Sequence, residues 1–226
     1  MGYAPGGKGY RVVIFDFDGT LADSFPSFLV VLNKLAAEYH FKAVSREEID
    51  TLRDKNSREV LRALEIPIYK LPIILARAKQ ELTSRIPGIE MTPGTREVLL
   101  ELHKEEVQLG LLTSNSLENV TSFLANNALD LFAFTSTSSG LWGKARRLRK
   151  ILAERGLAAG QVLYVGDETR DIEISRKIGV DVAAVTWGYN NKKALEQFSP
   201  DYLITTPQEL VSICIPGKSL HRDGTA

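Results

Sequence analysis

The chain has 226 residues, 44% of them hydrophobic, with Lys plus Arg and Asp plus Glu equal at 28 each. That length buries the core of one domain plus an insertion, and the charge balance leaves no net field to gather nucleic acid or an anionic membrane surface. Its single cysteine, Cys214, forms no internal disulfide, which points to a reducing cytoplasm; no apolar run approaches a membrane span, and the first eight residues lack a signal-peptide core.

The first predicted element is a strand over 11–17, whose apolar run Val12-Val13-Ile14-Phe15 ends in Asp16-Phe17-Asp18-Gly19-Thr20. A buried strand thus delivers two carboxylates to a tight turn. From Leu21 to Thr92 the pattern is helical only, with helices near 25–40, 46–54, 57–65 and 69–85. Phe28, Val31, Leu32 and Leu35 recur at helical spacing and form the core of that block. Strands near 107–113, 131–135, 161–166, 181–186 and 202–204 then alternate with helices near 94–105, 116–127, 144–156, 169–178 and 207–213. Such alternation implies a Rossmann-like α/β fold, a parallel sheet wrapped on both faces. The expected domains are a core of residues 1–21 and 93–215, a helical insertion of 22–92, and a disordered tail of 216–226.

Three further strand ends or helix starts carry chemistry. Leu111-Leu112-Thr113-Ser114-Asn115 ends a strand in hydroxyls, Gly143-Lys144 opens a basic helix, and Gly166-Asp167-Glu168-Thr169-Arg170-Asp171 follows the apolar run Val162–Val165. Parallel sheets bind ligands beyond the carboxyl ends of their strands. Like charges about 4 Å apart cost roughly 4 kcal/mol at an effective dielectric near 20, so acids gathered from two strand ends call for a cation. Hard oxygen donors without a nearby histidine favour Mg²⁺ over zinc.

On these four motifs, in this order, the chain resembles the haloacid dehalogenase-like phosphohydrolases, in particular their phosphoglycolate phosphatase-like branch with a small helical cap. The resemblance covers residues 10 to 213. It implies a Mg²⁺-dependent phosphatase acting on a small phosphorylated metabolite, with Asp16 as nucleophile and Asp18 as general acid and base. It also implies Ser114 as the phosphate-binding hydroxyl, with Thr113 its close rival, and Lys144 as the phosphate-binding cation. Phe17 and Asn115 complete the phosphate-binding set. The metal set is Asp16, Asp18 (through its main-chain carbonyl), Asp167 and Asp171. In the family's sheet the strands bearing the first and fourth motifs are neighbours, and residues 22–92 correspond to a lid that excludes water and opens for product release. Ala145 departs from the family pattern, where a proline often follows the lysine.

Competing readings accompany these assignments. Lys144 opens the run Lys144–Lys150, a pattern that also describes a solvated helix face, and Ser114 suits a helix N-cap. Arg53, Lys55, Asn56 and Arg58 fall at a junction of cap helices, where a cation would suit an acidic substrate; Trp187, in Thr186–Asn190, either lines the rim or packs the core. Glu168 and Arg170 are expected at the rim or paired on the surface, and Asn119-Val120-Thr121 reads as a chance sequon. A sugar phosphomutase or a phosphonatase of the same fold, or a noncatalytic phosphate-binding module, would share most of these residues. The expected partner list is one small phosphorylated metabolite, with no nucleic acid and no membrane, and the expected assembly a monomer or homodimer.

Overall fold

The computed structural model describes residues 9–138 and 143–218. Its centre is a six-stranded parallel sheet formed by β1 (Val12–Phe15), β2 (Gln108–Thr113), β3 (Phe132–Thr137), β4 (Val162–Gly166), β5 (Asp181–Val185) and β6 (Tyr202–Ile204). The strand order is β3-β2-β1-β4-β5-β6, so the chain reverses its direction of travel across the sheet at β1. Parallel β1 lies between β2 and β4, in the registers Phe15–Leu111 and Phe15–Val165. The expected adjacency of the first and fourth motif strands is therefore present.

β1 reads as an unbroken apolar run because both of its faces are covered. Val13 and Phe15 join one cluster with Leu99 and Leu102 of α5 (Thr95–Lys104), Val120 and Phe123 of α6 (Leu117–Asn126), and Leu210 of α10 (Glu209–Cys214). Val12 and Ile14 join the other, with Leu148 of α7 (Gly143–Glu154), Ile172 of α8 (Thr169–Ile178) and Leu195 of α9 (Lys192–Gln197). Alternate residues of one strand thus bind the sheet to two helical layers. The α9 helix was not anticipated from sequence; Asn191 starts it by accepting a hydrogen bond from Ala194 N.

Between β1 and α5 the chain forms α1 (Phe25–Tyr39), α2 (Ile49–Arg53), α3 (Ser57–Ala63) and α4 (Leu71–Thr83), with short 3₁₀ turns at Ile68–Lys70 and Ile86–Gly88. These helices have their own apolar cluster, which includes Val31, Leu32, Leu35, Leu52, Leu64 and Ile74. His40 ends α1 in the left-handed region at φ 60°, and Asn56 opens α3 with a full capping box closed by Glu59. The two crossings between this block and the sheet domain run side by side: Asp23 N donates to Glu90 O at 2.9 Å, and Thr92 N to Leu21 O at 2.8 Å. Among the described residues no helix is long and apolar enough to cross a membrane. Of the tail expected over 216–226, residues 219–226 lie outside the described residues, whereas Lys218 pairs with Glu101 and with Glu105, the latter at 2.6 Å.

Candidate active site

Phe15 is the last paired residue of β1, and the chain turns immediately beyond it. Asp16 N still donates to Val165 O at 2.8 Å, which fixes Asp16 at the carboxyl edge of the sheet. Thr20 N, Leu21 N and Ala22 N all bond to Phe17 O, closing the turn. Gly19 takes φ +75°, and a Cβ there would stand 2.3 Å from Asp167 Oδ2. At Gly188, on the loop after β5, a Cβ would stand 2.2 Å from the same oxygen. Asp167 is therefore held in a slot that only glycines leave open.

Within that slot Asp167 Oδ1 accepts from Thr20 Oγ1 at 2.7 Å and Oδ2 from Tyr189 N at 2.7 Å. Asp171, in the first turn of α8, accepts from Glu168 N at 3.2 Å and caps the helix. Asp16 Oδ1 accepts from Phe17 N at 2.7 Å. Asp16, Asp167 and Asp171 are all buried, and one carboxylate oxygen from each lies within 4.8 Å of the other two. At that separation each ionised pair repels by roughly 3.5 kcal/mol at an effective dielectric near 20.

One cation answers them directly. Lys144 Nζ donates to Asp16 Oδ2 and, at 3.0 Å, to Asp171 Oδ1, while lying 6.0 Å from the centroid of the Tyr164 ring. Burial pulls the Lys144 ammonium down, but Asp16 and Asp171 outweigh it and hold the group well above its ordinary value. Burial pushes the Asp16 carboxyl up to about 7 despite the opposing pull of Lys144, with Asp171 pushing further the same way. Asp167 is raised well above the usual carboxylate range, by burial first and then by Asp16, Glu168 and Asp171. The Arg170 guanidinium also acts on these acids but is itself paired with Glu168, so the three buried acids remain short of positive charge. The atoms these three acids offer a metal are all carboxylate oxygens, so the residues present fit a hard divalent cation.

Asp18 occupies a different position. The chain bends at Phe17, and the Asp18 carboxylate lies outside the three-acid group; Oδ2 accepts from Asn115 Nδ2 at 3.0 Å. Burial raises its pKa, while hydrogen bonds from Asn115 and Ser24 oppose the rise. Thr113, fully buried at the end of β2, accepts from Asn115 N at 2.9 Å. Ser114 is exposed just beyond it. The N-cap of α6 is Ser116, which accepts from Asn119 N, so Ser114 is free of the capping duty that sequence offered it. Glu168 and Arg170 pair with each other, partly buried.

Of the cap residues weighed as substrate contacts, Arg53 and the main chain of Lys55 dock the insertion on the sheet domain, while Asn56 caps α3. Arg53 donates to Gly188 O at 2.6 Å and lies 5.3 Å over the Phe25 ring. Asn190 Nδ2 donates to Arg53 O at 2.9 Å and Lys55 O at 3.0 Å, while its Oδ1 accepts from Thr169 N at 2.9 Å. Tyr189 packs against Phe25 and Phe28, each with centroids 5.2 Å apart. Trp187 packs on the core and donates from Nε1 to Thr20 O at 3.1 Å. The loop 186–191 thus touches the Asp167 slot, the start of α8 and the insertion together. Sequence offered this segment as a rim or, through Trp187, as core packing; its contacts with the insertion and with α8 were not read, because loop residues carry no period to show what they meet. A separate depression of about 540 Å³, lined by His103, Gln108, Asp130 and Phe132 among others, lies at the amino ends of β2 and β3, away from the acids.

Residues 13–185 match the family model described as haloacid dehalogenase-like hydrolase. A phosphoglycolate phosphatase of Synechococcus elongatus is 34% identical over 202 residues, spanning 89% of this chain and 95% of that protein. One from Photorhabdus laumondii is 26% identical over 221 residues, spanning 91% and 92%. Among solved structures, a haloacid dehalogenase-like family hydrolase from Streptococcus pneumoniae superimposes with a TM-score of 0.77 at 20% identity, over 90% of this chain and 97% of that one. CbbY from Rhodobacter sphaeroides, solved with phosphate, does so with a TM-score of 0.68 at 18% identity, over 89% and 96%. At such identities these two structures speak to the fold alone.

Proposed function

The chain belongs to the haloacid dehalogenase-like hydrolases and is a phosphatase of the phosphoglycolate phosphatase-like kind; from that premise we propose that it hydrolyses a small phosphomonoester in two steps, through an aspartyl-phosphate on Asp16, with Mg²⁺ as cofactor. The observation that carries this reading is the convergence of Asp16, Asp167 and Asp171 at adjacent strand ends, with Lys144 bonded to two of them.

Uncatalysed phosphate-monoester hydrolysis is slow enough for enzymes to accelerate it by up to about 10²¹-fold, so several groups must contribute. A carboxylate nucleophile divides the displacement into two easier steps. Asp16 Oδ attacks phosphorus in line as the bond to the substrate oxygen breaks, and Asp18 gives that oxygen its proton. Asp18, now ionised, takes a proton from the water that cleaves the aspartyl-phosphate, returning phosphate and free Asp16. Proton transfer of this kind contributes about 10²- to 10⁴-fold. Lys144, the Ser114 hydroxyl, and amides of the turn after Asp16, with Phe17 and Asn115 beside them, hold the nonbridging oxygens. Asp16, Asp167, Asp171 and the main-chain carbonyl of Asp18 would hold Mg²⁺, which when bound supplies positive charge against the phosphoryl oxygens. Residues 22–92 act as the cap, docked through Arg53 and Asn190.

The names of the relatives support the choice of substrates to try: phosphoglycolate heads the panel of small phosphomonoesters, with sugar phosphates beside it. Phosphate release is measured with Mg²⁺ and with chelator, for wild type and Asp16→Asn. Release that needs both Mg²⁺ and Asp16 is the expected result. Near-native turnover by Asp16→Asn would remove the nucleophile assignment, and conversion of a sugar phosphate without phosphate release would make the protein a mutase.

A further inference from the structure

A chain of polar side chains runs from Asp18 through Asn115 to the cap, and the two-step chemistry leaves its two outer members, Asn119 and Thr83, without a role. Asn115 Nδ2 donates to Asp18 Oδ2 at 3.0 Å, while Asn115 Oδ1 accepts from Ser116 N and from Asn119 Nδ2, both at 2.8 Å. A main-chain N–H only donates, so Ser116 fixes which end of the Asn115 amide is oxygen and turns its NH₂ toward Asp18. Asn119, 3% exposed on α6, gives its other amide hydrogen to Thr83 Oγ1 at 3.0 Å. The Thr83 hydroxyl hydrogen goes to Lys79 O at 2.9 Å, so toward Asn119 Thr83 can only accept. Every donor in the series therefore has one direction, and both hydrogens of Asn119 are engaged.

Thr83 is the last residue of α4, in the insertion, whereas Asn119 and Asn115 belong to the sheet domain. The neighbours of Asn119 on the buried face of its helix, Val120 and Phe123, are apolar, and packing alone gives no reason for an amide among them. Its engaged and buried side chain also makes the Asn119-Val120-Thr121 sequon a chance match. An amide in that position does something an apolar residue could not: it locks the neighbouring amide against rotation and joins it to the insertion.

We propose that Asn119 is a positioning residue, which with Thr83 and Asn115 holds the Asp18 carboxyl aligned for proton transfer and makes that alignment depend on the seating of α4 against the sheet domain. The inference rests on the reading of Asp18 as general acid and base. With the end of α4 displaced, Asn119 loses one partner and Asn115 is less constrained; with it seated, the donor to Asp18 is fixed. The series thus links the position of the insertion to the readiness of the acid.

The test uses the leaving group. For this mechanism kcat/KM reports the steps through aspartyl-phosphate formation. An alkyl monoester such as phosphoglycolate needs a proton on its departing oxygen, whereas p-nitrophenyl phosphate does not. Asp18→Asn is expected to lose far more kcat/KM on the alkyl ester than on the aryl ester. Asn119→Asp, which keeps the shape and removes both donors, should show the same pattern, with about tenfold loss on the alkyl ester. Thr83→Val, on an exposed side chain whose replacement leaves folding intact, should lose about threefold on the alkyl ester by the same reasoning. Circular dichroism and melting curves accompany each variant. Equal losses on both esters, or none, in Asn119→Asp and Thr83→Val, while Asp18→Asn keeps its leaving-group dependence, overturn the positioning role and leave the general-acid reading standing. Absence of that dependence in Asp18→Asn overturns both.

Discussion

Replacing Lys144 with methionine keeps an unbranched stem and removes the ammonium from between two buried carboxylates. The Nζ to Asp171 Oδ1 distance of 3.0 Å corresponds to roughly 5.5 kcal/mol of attraction at an effective dielectric near 20, much of it offset by the cost of burying the charges. What truncation costs is the stranding of the acids, about 3–5 kcal/mol. For a chain of this length each kcal/mol moves the melting temperature by roughly 2–4 °C, so Lys144→Met should melt about 6–20 °C below wild type at pH 8 in chelator. Asp16 has an escape by taking up a proton. Its pKa stands at about 7 with the ammonium present, and the ammonium lowers it, so in the variant it lies higher still. The deficit should therefore shrink at pH 5, where Asp16 is mostly protonated in both proteins, and Mg²⁺ should narrow it at pH 8. Phosphatase kcat should fall by about 10²- to 10³-fold, the loss typical of a donor to developing charge. Scanning calorimetry at both pH values, with and without Mg²⁺, decides the matter. A melting temperature within about 2 °C of wild type at pH 8 in chelator would refute the view of Lys144 as counter-charge to the acids.

Asp167→Asn should cost activity at least about 10²-fold and weaken the Mg²⁺ requirement, whereas Glu168→Gln, which disturbs a side pair with Arg170, should cost much less; steady-state assays across a Mg²⁺ titration that gave the reverse ranking would overturn the metal-site assignment. Ser114→Ala should lower kcat/KM about tenfold with no change in melting; if Thr113→Val carries that loss and Ser114→Ala does not, the phosphate hydroxyl belongs to Thr113. Without divalent cation, melting temperature should fall as pH rises from about 4 to about 7. Burial raises the folded-state pKa of Asp16, Asp18, Asp167 and Glu168, so the folded chain binds more protons than the unfolded one over that window and loses stability as they leave. Saturating Mg²⁺ should flatten the slope, and a melting temperature rising with pH in chelator would contradict the sign.

Much of this molecule was legible because its signals are local. Val12–Phe15 and Val162–Gly166 are unbroken apolar runs ending in acids, and a run of that kind is what a strand covered on both faces requires. The helical spacing of Val31, Leu32 and Leu35 likewise announced a block with its own core. Other elements were read less well: α9 was not anticipated, and α2 proved to be Ile49–Arg53, shorter than the helix expected over 46–54. The cationic cluster from Arg53 to Arg58 was weighed as a contact for an acidic substrate, yet Arg53 holds main-chain carbonyls of the loop after β5 and Asn56 caps a helix. Charge in a sequence does not disclose its partner, and here those partners lie more than a hundred positions away or in the local backbone.

The amino-acid sequence by itself determined the parallel α/β class, the helical insertion and the four places where chemistry-bearing residues meet strand or helix ends, since each follows from runs and turns a few residues long. Tertiary structure alone decided which groups touch. The sheet order puts β4 beside β1 and so draws Asp167 and Asp171 to Asp16; the packing of α7 brings Lys144 between them; and the turn after β1 sends Asp18 to Asn115 and away from the other acids. The loop 186–191 and the Asp18–Asn115–Asn119–Thr83 series belong to this second group as well. Their residues are distant in the chain and joined by single hydrogen bonds, which leave no periodicity, composition or spacing for a sequence to display.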